Sequence, residues 1–268
     1  MSTAERPAVA DDIVLVDRQA DVLTVTLNRP QAYNAINPEL RDRLAGIFDA
    51  AEGDGVRAIL LSGAGRGFCS GADLKNSAPA APGLDTTRVM RLSTQKLIRS
   101  FLDCPVPVVS AVHGVAAGIG LTLAFGADVC VAASDASFVP AFVQRAIVPD
   151  GGIAFLLPRI IGMARTKDFL LRGRPLTGSQ AAAIGLISEA VAPGDLQQAA
   201  AAVAGELAAM PTATLGLLKQ MLAQSFDLDL AATLFAERAS QGLSSATEDA
   251  REGRRAFTER RAAEFTGH

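Results

Sequence analysis

Short apolar runs, each ending in a turn of glycine and other small residues, constrain this chain more than any other feature. Residues 58–62 lead into Gly67-Phe68-Cys69-Ser70-Gly71-Ala72-Asp73-Leu74. Residues 106–112 lead into His113-Gly114-Val115-Ala116-Ala117-Gly118-Ile119-Gly120. Apolar runs without polar alternation are strands buried on both faces. The second turn opens a helix over 118–125, and another strand follows over 128–133. Strands that alternate with helices in this way predict an α/β fold with parallel strands.

The flanking segments fit that frame. Residues 13–17 and 22–27 are β-rich runs on either side of Gln19-Ala20-Asp21, a pattern that predicts an antiparallel hairpin. Asn37-Pro38-Glu39 opens a helix, with Asn37 as N-cap and Pro38 in the first turn. Leu40, Leu44, Ile47, Phe48 and Ala51 then recur at helical spacing. Residues 75–87 are rich in Ala, Pro, Ser and Gly and read as a mobile loop that lids a pocket; a helix over 87–101 follows. A last strand is expected over 186–191. Beyond it the chain is Ala-rich and helical, over 193–210, 211–225, 228–241 and 247–263. The expected organisation is a flexible tail (1–12), a core (13–195) and a helical C-terminal region (196–268).

Composition removes several functions. A net charge of -3 offers no electrostatic footprint for nucleic acid, and with no Trp and a single Tyr the chain lacks stacking platforms for bases. No stretch has the roughly 20 uninterrupted apolar residues of a membrane span. The N-terminus lacks the apolar run of a signal peptide, so a cytoplasmic location is expected. Cys69, Cys104 and Cys130 form no C-x-x-C pair and read as free thiols in a reducing compartment. His113 follows a buried strand and reads as a hydrogen-bonded core histidine. It has no clustered partners for a metal and no G-x-S-x-G elbow for a triad. Cys69 reads as a packing residue, not a nucleophile.

Small residues let backbone approach a ligand closely, and free N–H groups at a helix start favour developing negative charge. Two such turns converging on one carbonyl oxygen would form an oxyanion hole. Either turn alone is an ordinary structural feature of α/β proteins. Together, and with motifs in a fixed order, they resemble the crotonase superfamily, also called the enoyl-CoA hydratase/isomerase family. Leu27-Asn28-Arg29-Pro30 with Asn34-Ala35 is similar to its opening motif. Residues 68–74 and 111–120, the latter with Ala127-Asp128, are similar to its two oxyanion motifs. Pro149-Asp150-Gly151-Gly152 with Leu157-Pro158-Arg159 is similar to the next turn and helix. Ala181 to Ile187 and the stretch from Glu252-Gly253 to Phe265 resemble its later segments.

The resemblance implies a spiral of β-β-α turns with a helical C-terminal trimerisation region, assembled as a homotrimer or dimer of trimers. It implies an acyl-CoA thioester as substrate, with coenzyme A as part of that substrate and no separate cofactor. The backbone N–H groups of Ala72 and Ile119 would hold the thioester oxygen. Ser70, Gly71, Asp73, Leu74 and Gly118 would surround it. Arg29, Phe257 and Arg260 would meet the coenzyme A moiety; read without the resemblance, Arg29 and Arg260 are solvated surface charges.

Relatives that add water to a double bond use two glutamates, and here Thr122 and Phe142 stand in their places. Neither can act as a general base near neutral pH, so hydration by the usual pair is not expected. One carboxylate remains, Asp150, at a position resembling the single acid of some Δ3-Δ2-enoyl-CoA isomerases. A base in an apolar pocket, walled by Phe138, Ala141, Phe142 and Phe155, would suffice for a 1,3-proton shift. Read without the resemblance, Asp150 is a helix cap after Pro149. The alternatives are a hydratase with atypical acids, a CoA-thioester hydrolase or dehalogenase with Asp150 as nucleophile, and a non-catalytic acyl-CoA-binding paralogue.

Overall fold

A computed structural model describes residues 12–74 and 84–268. The expected tail and most of the expected lid loop (1–11 and 75–83) lie outside the described residues.

The chain opens with strands β1 (Val14–Gln19) and β2 (Val22–Leu27), which pair antiparallel across Ala20-Asp21. Asp12 belongs with them: its carboxylate accepts from the Val14 N–H, and its carbonyl accepts from Asn28 Nδ2 at 2.8 Å. Helix α1 (Pro38–Ala50) starts where expected, with Asn37 Oδ1 accepting from the Leu40 N–H at 2.8 Å. Strand β3 (Ala58–Gly63) follows. Where one helix was expected, there are two, α2 (Leu84–Leu92) and α3 (Thr94–Leu102), so residues 84–87 are helical and not loop. Ser93 separates them at φ -119°, ψ -93°, its hydroxyl donating to the Val89 carbonyl and competing with the helical ladder.

Two β-β-α units come next. Strands β4 (Val108–Val112) and β5 (Val115–Ala117) precede α4 (Ile119–Phe125). Strands β6 (Val129–Ala133) and β7 (Ser137–Val139) precede α5 (Ile153–Arg172), which is broken at Gly162 (φ 74°, ψ 162°). Strand β8 (Leu176–Thr177), α6 (Gly178–Ala183) and β9 (Glu189–Val191) complete the core. Helices α7 (Leu196–Ala208), α8 (Thr212–Gln224), α9 (Leu230–Ser245) and α10 (Glu248–Glu259) follow.

The main sheet runs β1-β2-β3-β4-β6-β9, parallel except for the opening hairpin. The first strand of each unit enters this sheet; the second enters a small sheet, β5-β7-β8. That small sheet has no sequence signal, because its strands are only two or three residues long. On the main sheet, α7 packs against β3, β4 and β6 with Leu196, Ala200, Ala204 and Ala208 buried. Its small side chains let the helix lie close to the strands. Helix α7 is thus part of the packing around the main sheet. Helix α1 meets α3, with Phe48 and Phe101 rings 5.2 Å apart.

Candidate active site

Backbone pairing docks the first small-residue turn onto the second. Cys69 N–H donates to the Val115 carbonyl at 3.1 Å, and Ala117 N–H donates to the Cys69 carbonyl at 2.9 Å, so the segment after β3 runs parallel to β5. A second bridge ties the same segment to the start of α1. Ile36 N–H donates to the Gly71 carbonyl at 2.8 Å and Asp73 N–H to the Ile36 carbonyl at 3.0 Å. In this parallel register the Ala72 N–H is skipped. Ile119 is the first residue of α4, so its N–H has no intrahelical acceptor. Among the described residues, neither N–H has a hydrogen-bond partner.

Two glycines bring these donors together. Gly71 has φ 102°, and a β-carbon there would stand 3.1 Å from the Ala117 carbonyl oxygen. Gly118 has φ 54°, and a β-carbon there would stand 3.3 Å from the Gly71 α-carbon. The two turns touch backbone to backbone, closer than a side chain fits without displacement, and Ala72 and Ile119 flank the contact. Gly120 serves the same approach, since a β-carbon on it would collide with the Cys69 carbonyl.

The first turn is held from behind by a polar network. Arg29 Nη2 donates to Asp73 Oδ2 at 2.9 Å, and Arg29 Nη1 donates to the Ala35 carbonyl. Both side chains are nearly buried, at 11% and 6% exposure. Buried Asn34 accepts from the Arg29 N–H and donates to the Ala64 and Gly67 carbonyls. The Ser70 hydroxyl donates to the Ala32 carbonyl. Arg29, Ser70 and Asp73 thus shape the turn, and the Arg29 guanidinium is engaged within the chain. It is not the solvated surface charge that sequence reasoning allowed. Leu74 is exposed at the end of the turn.

Asp150 lies between β7 and α5, and its neighbour Gly151 meets α4. A β-carbon on Gly151 (φ 68°) would stand 3.0 Å from Thr122 Oγ1 and 3.6 Å from Ile119 Cγ1. The residue after Asp150 therefore packs on the first turn of α4, against the side chains of Ile119 and Thr122. Asp150 is half-buried, and burial pushes its carboxyl above the ordinary carboxylate range against a smaller opposing pull from its own backbone N–H. It is no helix cap: Gly152, in the left-handed region, is the N-cap of α5 and no side chain caps there.

The whole length of this arrangement matches one family. Residues 17–268 match the enoyl-CoA hydratase/isomerase family model. The chain belongs to the enoyl-CoA hydratase/isomerase family. It is 40% identical to the 1,2-epoxyphenylacetyl-CoA isomerase of Escherichia coli K12, over 96% of this chain and 99% of that protein. It is also 40% identical to a probable enoyl-CoA hydratase of Rhodobacter capsulatus, over 91% and 93%. Among solved structures, an enoyl-CoA hydratase from Bacillus anthracis superposes with a TM-score of 0.88 at 29% identity, covering 96% of this chain and 100% of that one. The β-β-α spiral is accordingly the crotonase fold, as its motifs implied.

Within this family member, Thr122 and Phe142, the residues at the expected glutamate positions, are both buried. Phe138 is buried too, its ring 4.9 Å from that of Phe125, and Ala141 is partly so. Phe155 departs from the expected apolar wall. It is exposed, with the Arg159 guanidinium 3.5 Å from its ring centroid. Phe257 and Arg260 lie exposed on and just after α10, which packs against α9.

The competing nucleophiles fall away. Burial pushes the Cys69 thiol up to about 12, so it stays protonated. His113 Nε2 lies 3.0 Å from the Gly65 carbonyl oxygen, a structural contact. Among the described residues no cluster of three His, Cys, Asp or Glu could hold a metal, and no single helix is long and apolar enough to cross a membrane.

Proposed function

We propose that this enzyme is a Δ3-Δ2-enoyl-CoA isomerase in which Asp150 is the single base. The Ala72 and Ile119 N–H groups donate to the thioester oxygen. Asp150 removes a proton from C2, the enolate charge rests on the oxygen in the hole, and the same carboxyl returns the proton at C4. The observation that carries this reading is one desolvated carboxylate, Asp150, next to a glycine that packs on the side chains of Ile119 and Thr122, with Thr122 and Phe142 where a hydratase needs glutamates. Desolvation makes the carboxylate a stronger base, and the two N–H groups lower the cost of the enolate. Of two relatives at 40% identity, one is named as an isomerase of an acyl-CoA thioester and one as a probable hydratase; the first supports an isomerisation.

This reading needs no cofactor beyond the coenzyme A of the substrate and places the enzyme in the cytoplasm. A homotrimer, or a dimer of trimers, would cover the apolar surface of α8 and α9, where Leu222, Leu230, Phe235 and Leu243 are all more than 60% exposed.

The test is incubation with 3-enoyl-CoAs of several chain lengths in D2O, followed by mass spectrometry, beside Asp150→Asn. The 2-enoyl-CoA should appear with wild type and fall by roughly 10²–10⁴-fold with the variant, the usual worth of a positioned base. Bound substrate returned unchanged by the wild type at every length would refute the isomerase reading.

A further inference from the structure

Helix α5 is weakest in the half that follows Asp150. Gly151 and Gly152 precede it at positive φ, and Gly162 breaks it at φ 74°, ψ 162°. Residues 153–161 therefore gain no support from helix continuity at either end. Pro158 lies among them and has no N–H, so the helical bond from residue 158 to the Ala154 carbonyl is missing. Ile153, Leu157 and Ile161 bury the inner face of this stretch. Its outer face is held by Arg159. The guanidinium donates through Nη1 to the Phe155 carbonyl at 3.2 Å and through Nη2 to Asp227 Oδ1 at 3.0 Å. It lies 3.5 Å from the Phe155 ring centroid and 5.6 Å from that of Phe226. Phe226 and Asp227 belong to the link between α8 and α9. Arg159 thus ties the first turn of α5 to the helical C-terminal region.

We propose that Arg159 is a positioning residue for Asp150: by clamping residues 153–161 to the α8–α9 link, it fixes the turn that carries the carboxylate. The proposal rests on the reading of Asp150 as the base. Gly151 and Gly152 impose no conformation of their own, so the turn takes its shape from the first turn of α5. The Gly152 carbonyl accepts from the Phe155 N–H at 2.9 Å and the Leu156 N–H at 3.0 Å, and the Asp150 carbonyl accepts from the Ile153 N–H at 3.5 Å. Phe155 is therefore bonded to the turn on one side and to Arg159 on the other. A misplacement of about 1 Å can cost a reacting group up to about 10²-fold in rate, so a clamp one helical turn away bears on turnover through Asp150.

The test compares wild type with Arg159→Met, Arg159→Lys and, as control, Arg172→Met. Arg172 pairs with Asp168 at 2.7 Å on the half of α5 beyond Gly162. Hydrogen exchange should show the Phe155 and Leu156 amides opening about tenfold more often in Arg159→Met, the combined worth of an exposed ion pair and a cation–π contact. On a 3-enoyl-CoA, kcat should fall about tenfold with KM little changed, because the N–H groups that hold the thioester lie on other elements. The acid limb of kcat should move to lower pH as Asp150 loses part of its burial. A general loss of folded enzyme would lower kcat without moving that limb. Arg159→Lys keeps a charge opposite Asp227 and should recover part of each loss, and Arg172→Met should match wild type throughout. Unchanged exchange at Phe155 and Leu156 in Arg159→Met, an equal effect from Arg172→Met, or a fall in kcat with a fixed acid limb would overturn the proposal. Exchange needs no turnover, so it decides whether the clamp exists by itself. Failure of wild type to convert any 3-enoyl-CoA would instead remove the base reading, and with it the role assigned to Arg159.

Discussion

Replacing Gly118 with alanine tests the contact on which the site depends. Gly118 has φ 54° and ψ -127°, a conformation almost confined to glycine, and holding alanine there costs about 1–3 kcal/mol. The added β-carbon would stand 3.3 Å from the Gly71 α-carbon, so the first turn must also yield by a few tenths of an ångström. For a chain of this size each kcal/mol lowers Tm by about 2–4 °C, so the expected fall is a few to about 10 °C. Both N–H donors flank the contact. Turnover of a 3-enoyl-CoA should therefore drop at least about tenfold, and toward the 10²–10³ range if one donor is lost outright. Gly205→Ala is the matched control. Gly205 lies exposed inside α7 with nothing near its α-carbon, so alanine there should stabilise by about 1 kcal/mol and leave turnover unchanged. Thermal melts and steady-state rates of the two variants measured together decide the matter. If Gly118→Ala melted and turned over like the wild type, the two turns would not meet as described.

Further outcomes follow from the network and from Asp150. Burial raises the Asp150 carboxyl, so kcat/KM should fall below a pKa higher than the usual value of about 4. The same shift lowers stability as pH rises from the unfolded toward the folded pKa, because the folded state holds the proton longer. Asp150→Asn should thus gain stability over wild type as pH rises through that window; a pH-independent difference in melting would show that burial is not the cause. Arg29→Met removes the bonds to Asp73 and Ala35 and should cost about 3 kcal/mol, as one-sided loss of a buried ion pair does. Denaturant unfolding of Arg29→Met, Asp73→Leu and the double variant gives the coupling, and a coupling near zero would refute the pairing.

Much of the architecture is written locally. The hairpin of β1 and β2 follows from two β-rich runs and a two-residue link. The start of α1 follows from Asn37 and Pro38, whose capping chemistry acts within one turn of the chain. The buried strands β3, β4 and β6 follow from apolar runs too short and too β-branched for helices. The order of small-residue turns was enough to identify the family, because those turns are short and contiguous.

What sequence could not supply depends on residues distant along the chain. The pairing of Cys69 with Ala116 lies behind the convergence of the two turns, and neither residue type signals it. The role of Arg29 turned on a partner 44 positions away, which made it a positioning residue of the first turn instead of a surface charge. Phe155 looked like a pocket wall by composition, yet α5 turns it outward under Arg159. Asp150 as a helix cap was a fair local inference, but Gly151 and Gly152 both adopt positive φ and move the cap two residues on. Thr122 is the clearest case. Its identity alone marked only a missing glutamate; its burial and its contact with Gly151 exist only once α4 and the start of α5 are packed together. Local hydrogen bonding and side-chain period are encoded residue by residue, so they can be read from sequence, whereas proximity between segments is a product of the closed core and had to be seen.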